Sequence, residues 1–230
     1  MTAPRVVFAS PRKLPKPASL DGRVAVLDIA FAAEGTGTSF DRVTAPFLKG
    51  LGDRLAAWVD HHDHALHARY RGDPRFVLAT KAEHGACPEM VTPELVARTG
   101  AVDTLVCHSD LDGLYSAARW IRGGVDPYPG AEDDARAVDT RVGATSPLGD
   151  RIDRALRVRG RDEDFLARVV RFLVDGATDA DFAAELGDVA REYDCVEATT
   201  RALANARYRV RGQTAVCDVT DVAPGDYDKT

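Results

Sequence analysis

Short apolar runs recur along the first half of the chain and predict the strands of a buried sheet. They cover residues 6–9, 23–27, 55–59, 75–78 and 104–107. The runs are continuous and do not alternate between apolar and polar positions, which is typical of parallel strands covered on both faces. None approaches the about 20 apolar residues that a membrane span requires, so no membrane partner is expected.

Apolar residues at helical spacing lie between these runs. They predict helices near residues 43–51, 90–96 and 114–121, and Gly123 and Gly124 are expected to end the last of them. Strands that alternate with helices indicate an α/β protein with a Rossmann-like parallel sheet.

After Pro147 the pattern changes to helices. The predicted helices cover residues 152–156, 165–173, 182–190 and 196–206, and a last strand covers residues 214–219. We therefore predict a catalytic α/β domain over residues 1–145, followed over residues 146–230 by a helical arm that ends in a strand.

Three of the predicted strands are followed directly by acidic or histidine residues. Asp28 follows the second run, Asp60-His61-His62 follows the third, and His108 follows the fifth, with Asp110 and Asp112 close behind. The carboxyl ends of parallel strands lie at one edge of the sheet, where ligands bind. Carboxylates gathered there would repel one another and raise each other's pKa values unless cations were present.

The mixture of carboxylates and imidazoles indicates the kind of cation. Such a ligand set suits Mn²⁺, Fe²⁺ or Zn²⁺ better than Mg²⁺ or Ca²⁺, which prefer oxygen ligands alone. The number of ligands is sufficient for two cations ~3.5–4 Å apart, the spacing used in the hydrolysis of phosphates.

Two motifs resemble those of a known family. Asp60-His61-His62 matches the motif that names the DHH phosphoesterases, and His108-Ser109-Asp110-Leu111-Asp112-Gly113 resembles their metal-binding motif. Leu27-Asp28 and Val138-Asp139-Thr140 are similar to two further motifs, each built on one aspartate. In the family the motif that starts here at His108 comes first. The chain therefore resembles a DHH-family phosphoesterase with a circularly permuted motif order.

This resemblance implies a centre of two Mn²⁺ ions, with Mg²⁺, Fe²⁺ or Co²⁺ as alternatives. The implied ligands are Asp28 as the bridge, His108 and Asp110 on one ion, and His61, Asp112 and Asp139 on the other. His62 and Asp60 are the implied catalytic residues: His62 faces the substrate phosphate, and Asp60 supports the histidines. The family's second, substrate-binding lobe has a glycine-rich, histidine-containing motif that is not found after Asp139. That lobe is therefore expected to be absent, replaced by helices, or cut short, with the helical arm as its start or remnant in the last case.

Four further residues are weighed individually. Gly113 is expected to bind substrate, because it permits a tight turn into a helix whose N-terminus favours an anion. His84 either contacts a phosphate or has a capping or packing role. His64 and His67 do not fit the spacing of the HxHxDH zinc hydrolases, so we predict an exposed helix start there.

The predicted function is metal-dependent hydrolysis of a phosphodiester or phosphomonoester of a short nucleotide or oligonucleotide. The alternative is a metal- or nucleotide-binding regulatory protein without turnover. A net charge of −6 argues against stable binding to duplex DNA, and a homodimer is left open. The N-terminus lacks the apolar stretch of a signal peptide, so a cytoplasmic location is expected.

Five arginines lie close together after the predicted catalytic domain. They are Arg151, Arg154, Arg157, Arg159 and Arg161. One interpretation is a solvated helix face balanced by neighbouring acids. The other is a basic edge that guides a phosphodiester towards the metals.

Overall fold

The computed structural model describes residues 3–34, 37–223 and 225–228. Five parallel strands form one sheet in the order β1-β5-β2-β3-β4. Their bounds are Arg5–Phe8 for β1, Val24–Leu27 for β2, Leu55–Asp60 for β3, Phe76–Leu78 for β4 and Thr104–Cys107 for β5. The prediction of an α/β protein with a parallel sheet is confirmed, and all five strands are found close to their predicted positions.

The register of the three central strands aligns their carboxyl ends. Leu27 of β2 lies opposite Val59 of β3 on one side and opposite Cys107 of β5 on the other. The residues that follow these strands therefore emerge side by side at one edge of the sheet.

Both faces of the sheet are covered. Leu27, Leu105 and Cys107 face a cluster formed with the 3₁₀ turn Cys87–Met90, helix α3 (Pro93–Thr99) and helix α4 (Leu111–Ile121). Val26, Trp58 and Val106 face helix α1 (Thr44–Leu51) and a group formed by Ile29, Phe31 and Phe40. This two-sided burial explains why the strand sequences are continuously apolar.

Helix α4 begins one turn earlier than the sequence analysis predicts. Its first residue is Leu111, and the Asp110 side chain accepts a hydrogen bond from the Gly113 N–H at the helix N-terminus. An aspartate at this position satisfies an N–H group that has no partner inside the helix. Asp112 therefore lies in the first turn of α4 and not in the loop before it.

Helices α5 to α8 pack on the side of α4 that faces away from the sheet. Their bounds are Ala131–Thr140 for α5, Pro147–Arg159 for α6, Glu163–Val174 for α7 and Ala180–Glu192 for α8. Leu114 and Tyr115 of α4 share a buried cluster with Ile152 of α6, Leu166 of α7 and Leu186 of α8. Helix α4 thus lies between the sheet and the helical region, and α5 is an element that the sequence analysis did not predict.

The C-terminal part consists of helix α9 (Asp194–Arg207) and a hairpin of β6 (Tyr208–Arg211) and β7 (Thr214–Cys217). Only the second of these two strands was predicted. The residues of β6 are all exposed, so their sequence lacks the apolar run that marks the sheet strands. Across the described ranges of the chain, no helix has the length and apolar character needed to cross a membrane.

Candidate metal centre

The structure brings together the side chains that follow β2, β3 and β5, and it adds Asp139 from the last turn of α5. Three groups form, and in each the possible ligand atoms lie within 4.8 Å of one another. The groups are Asp28 with His61 and His62, Asp28 with His108 and Asp110, and His61 with Asp112 and Asp139. Asp28 belongs to two of the groups, and all the metal ligands implied by the resemblance are included.

Asp28 lies at the centre of this cluster in an unusual environment. Its residue is 2% exposed, and neither carboxylate oxygen has a hydrogen-bond partner among the described residues. Burial, together with the negative charges of Asp112 and Asp110, raises the pKa of Asp28 well above its ordinary value. A buried carboxylate without a hydrogen bond is costly unless a nearby positive charge or a proton compensates it.

The backbone at Asp28 is strained as well. Its φ is 56°, in the left-handed region that residues other than glycine seldom adopt. The Asp28 N–H donates to the Val59 carbonyl at 2.9 Å, so the chain remains attached to β3 while it turns at the end of β2. Strain of this kind costs about 1–3 kcal/mol and is concentrated at functional sites.

His61 is fully buried, and the contacts of its two ring nitrogens fix the orientation of the ring. Nδ1 donates to the His84 carbonyl at 2.9 Å, which leaves Nε2 directed at Asp112 Oδ2 (3.1 Å) and Asp28 Oδ1 (3.5 Å). Burial disfavours the charged ring, but the carboxylates of Asp112 and Asp28 outweigh it and raise the pKa of His61 to about 11. A backbone carbonyl on one nitrogen is the arrangement that fixes a metal-binding histidine.

Asp112 and Asp139 approach His61 from two different helices. Burial raises the pKa of Asp112 to about 6, and both of its oxygens lie 3.1 Å from the Cys87 N–H. Asp139 is bound by the Lys81 Nζ at 2.6 Å. Lys81 was not identified from the sequence, because its loop contacts α5 only in the folded chain.

His108 and Asp110 form a pair at the end of β5. His108 Nδ1 donates to Asp110 Oδ2 at 2.7 Å. Burial lowers the pKa of His108, but the Asp110 carboxylate outweighs it, so the net shift is upward. The pair leaves His108 Nε2 available as a ligand.

Gly113 has a structural role that differs from the predicted one. Its N–H already donates to Asp110 Oδ1 at 3.1 Å, so it is not available to a substrate phosphate. A Cβ at this position would lie 2.4 Å from the His108 carbonyl oxygen, a distance that atoms cannot adopt. Glycine is required because α4 packs directly against the backbone that carries His108.

Asp60 and His62 form the second pair of the site. Asp60 is fully buried, and its Oδ1 accepts from His62 Nδ1 at 2.8 Å. The His62 side chain is 33% exposed, so this imidazole reaches solvent while His61 does not. Asp60 Oδ2 faces His67 Nε2 at 3.8 Å and has no hydrogen-bond partner within the described part of the chain.

Of the remaining histidines, His84 follows the packing alternative, whereas His64 and His67 differ from their prediction. The His84 imidazole pairs with Glu89 at 3.2 Å, and its backbone carbonyl holds His61, so its observed role is packing and support. His67 begins the short helix α2 (His67–Tyr70), but it and His64 are half-buried against the Phe31 ring and not exposed as predicted. Burial lowers the pKa of His67.

A cleft of about 700 Å³ opens beside the metal-ligand cluster. One part of its wall is formed by residues 108–112 and Asp139, and another by the C-terminal part of α6 and the residues that follow it, including Leu156, Arg157 and Arg161. This volume lies within the range of about 300–1,000 Å³ that is usual for small-molecule sites.

Comparisons with known proteins add no relative. No protein-family model, no curated protein and no solved structure matches the chain. The function is therefore argued from the residues of the site alone.

Proposed function

We propose that this chain is a metal-dependent phosphoesterase that binds two cations at the carboxyl edge of the sheet. The observation that carries the proposal is Asp28: a buried carboxylate in a strained backbone conformation, without a described hydrogen-bond partner, shared by two groups of potential ligands. A single salt bridge would not require an acid in this position, whereas a bridging metal ligand would.

The residues present fit such a centre. Bonds of about 2.0–2.2 Å to one ion place its ligand atoms within roughly 4 Å of one another, and the observed groups lie close to this limit at 4.8 Å. His108 and Asp110 would hold one ion, His61, Asp112 and Asp139 would hold the other, and Asp28 would bridge them. The mixed donor set favours Mn²⁺ or Fe²⁺ over Ca²⁺.

The chain supplies the proton chemistry and the orientation of the site. Two bound cations would neutralise negative charge on the phosphoryl group. His62 Nε2 lies on a partly exposed ring whose other nitrogen is held by Asp60, so it can donate or accept a proton beside Asp28. The His84 carbonyl keeps His61 in the tautomer that directs Nε2 at the metal ligands.

The cleft favours a substrate larger than orthophosphate or pyrophosphate. Its wall contains apolar side chains beside the acidic end, among them Leu111, Val138 and Leu156. A sugar or base can pack on these side chains while a phosphate lies at the metal end. We therefore propose a short nucleotide or oligonucleotide as the substrate.

The test begins with protein stripped of metal by EDTA. We expect no hydrolysis of bis-p-nitrophenyl phosphate or of a dinucleotide before Mn²⁺ is added, and hydrolysis afterwards. Asp28→Asn should abolish both the activity and the binding of Mn²⁺ measured by calorimetry. Full activity in excess EDTA would exclude the proposal. Binding of Mn²⁺ without turnover of any substrate would favour the regulatory alternative.

A further inference from the structure

Two arginines line the cleft without an ion pair. Arg141 follows the last residue of α5, and Arg161 lies between α6 and α7. Neither has a carboxylate within salt-bridge distance in the part of the chain that the structure describes. Both line the same cleft as His108 and Asp110.

The arginines of α6, which ends two residues before Arg161, have partners. Arg151 Nη1 donates to the Ala183 carbonyl at 3.3 Å. Arg154 pairs with Asp194 and Glu197, and Arg159 pairs with Glu192 at 3.0 Å. Arg157 also lines the cleft, but it binds Asp153 at 2.8 Å and Asp228. The basic cluster of the sequence is thus mostly structural, and only Arg161 among its members lines the cleft with an uncompensated charge.

The backbone at Arg141 gives a second, independent observation. Its φ is 59°, so it occupies the left-handed position that ends α5. Glycine is the usual residue at this position because a side chain there is strained. An arginine with no ion pair, kept at a strained position on the wall of a cleft, indicates that its side chain is used.

We propose that Arg141 and Arg161 form a distal anion subsite, which binds a second phosphate of the substrate away from the phosphate at the metal end. The guanidinium group matches phosphate through paired N–H donors and keeps its charge at all relevant pH values. Apolar side chains of the same cleft, Val138 and Val158, can pack on the sugar or base that joins the two phosphates. This inference rests on the proposed function and narrows its substrate to a short nucleotide with a terminal phosphate.

The first experiment compares a thymidine dinucleotide with its 5′-phosphorylated and 3′-phosphorylated forms in the presence of Mn²⁺. We expect kcat/KM to be at least about 10-fold higher for one phosphorylated form, since a charge-assisted hydrogen bond contributes about that factor or more. In the double variant Arg141→Ala/Arg161→Ala this preference should fall towards one. Arg159→Ala, two residues before Arg161 in the sequence but not among the residues that line the cleft, is the matched control and should keep the preference.

Arg141→Gly separates binding from folding. Glycine relieves the strained backbone, so we expect the Tm to rise by about 2–4 °C while the preference for the phosphorylated dinucleotide falls. A variant that is more stable and less selective cannot be explained by misfolding. If Arg141→Gly and the double variant keep the full preference, or if no phosphorylated form is preferred, the subsite does not exist.

Failure of the proposed function is distinguishable from failure of the subsite. If no form of the chain hydrolyses any substrate, equilibrium binding of fluorescently labelled dinucleotides, with and without a terminal phosphate, decides the question. At least about 10-fold tighter binding of the phosphorylated form, lost in the double variant, supports the subsite. Equal affinity of the native chain and the double variant overturns it.

Discussion

Carboxylates at the edge of the sheet and carboxylates of the helical region have opposite surroundings. In the helices, acids pair with arginines: Glu185 with Arg168, Glu192 with Arg159, and Asp194 with Arg154. At the edge of the sheet, Asp28, Asp60 and Asp112 are buried, and among the residues described their ion-pair partners are histidines, with no lysine or arginine. The two sets would be indistinguishable in a count of charged residues.

This difference in surroundings separates acids that form ion pairs within the fold from acids for which we propose a role in binding a ligand. Exposed pairs such as Glu185 with Arg168 contribute about 0–1 kcal/mol each and are easily replaced. Buried carboxylates without a lysine or arginine partner are costly to the fold, so their presence needs another explanation. The explanation that we propose for this protein is a pair of bound cations.

Asp28→Asn should have the largest effect of the variants, because it removes the carboxylate that two groups of potential ligands share at the edge of the sheet. Asparagine keeps the size of the side chain and tolerates the left-handed backbone. We expect activity to fall by about 1,000-fold or more, equivalent to about 4 kcal/mol, while the Tm of metal-free protein stays equal or rises. Kinetics and thermal unfolding measure the two effects. Asp188→Asn, at an exposed acid paired with Arg191, is the control and should change neither.

Addition of Mn²⁺ should stabilise the native chain, since it supplies the positive charge that the edge of the sheet lacks. At a concentration about 100 times Kd, a bound ion contributes about 2.7 kcal/mol. This corresponds to a rise in Tm of about 5–11 °C for a chain of this size, measured by differential scanning calorimetry. The same addition to Asp28→Asn should give little or no rise; an equal rise in both proteins would contradict the assignment of Asp28.

Gly113→Ala should disturb the backbone at the carboxyl edge of the sheet without changing the charge of the side chains there. The added Cβ would lie 2.4 Å from the His108 carbonyl, so α4 or β5 must shift. We expect a loss of about 1–3 kcal/mol in the free energy of unfolding, measured by urea denaturation. Gly72→Ala is the matched control, because a Cβ at Gly72 would have no neighbour within 4 Å. Comparable losses in both variants would argue against the close packing of α4 on His108.

Arg154→Ala should have the smallest effect, because it breaks a pairing of the helical region alone. Arg154 joins α6 to Asp194 and Glu197 of α9. We expect a loss of about 1 kcal/mol in the free energy of unfolding and no change in Mn²⁺ affinity. A large loss of metal binding in this variant would show that the two regions are energetically coupled and would weaken the contrast between them.

The strands and their terminal residues were predictable because their signals are local. An apolar run followed by Asp28 or by His108 can be read without knowledge of its neighbours, and the parallel arrangement then places the ends together. Helix α5 was not predictable in the same way. Its first turn contains Glu132, Asp133 and Asp134, and it has few apolar positions, so tertiary packing against α4 and α6 decides its conformation.

The site was predictable in its ligands but not in its supporting contacts. The His84 carbonyl that holds His61, the Lys81 that binds Asp139, and the uncompensated charge of Arg141 all depend on residues brought close by folding. A backbone carbonyl has no sequence signature, and an arginine without a partner can be recognised only when its surroundings are known. The same is true of the clash that makes Gly113 necessary.

The position of β5 has a consequence for the order of assembly. This strand is the last of the five along the chain, yet it lies inside the sheet between β1 and β2. β1 therefore pairs with β5 across about 100 residues of sequence. Such a separation slows folding, because a long loop must close before the two strands can pair. Since β5 also carries His108 and leads directly to Asp110 and Asp112, the cluster of ligands is incomplete until the sheet itself is complete. Binding of the proposed cations would then require β5 to be in place, and a chain in which β5 has not docked would leave the edges of β1 and β2 that face it unpaired.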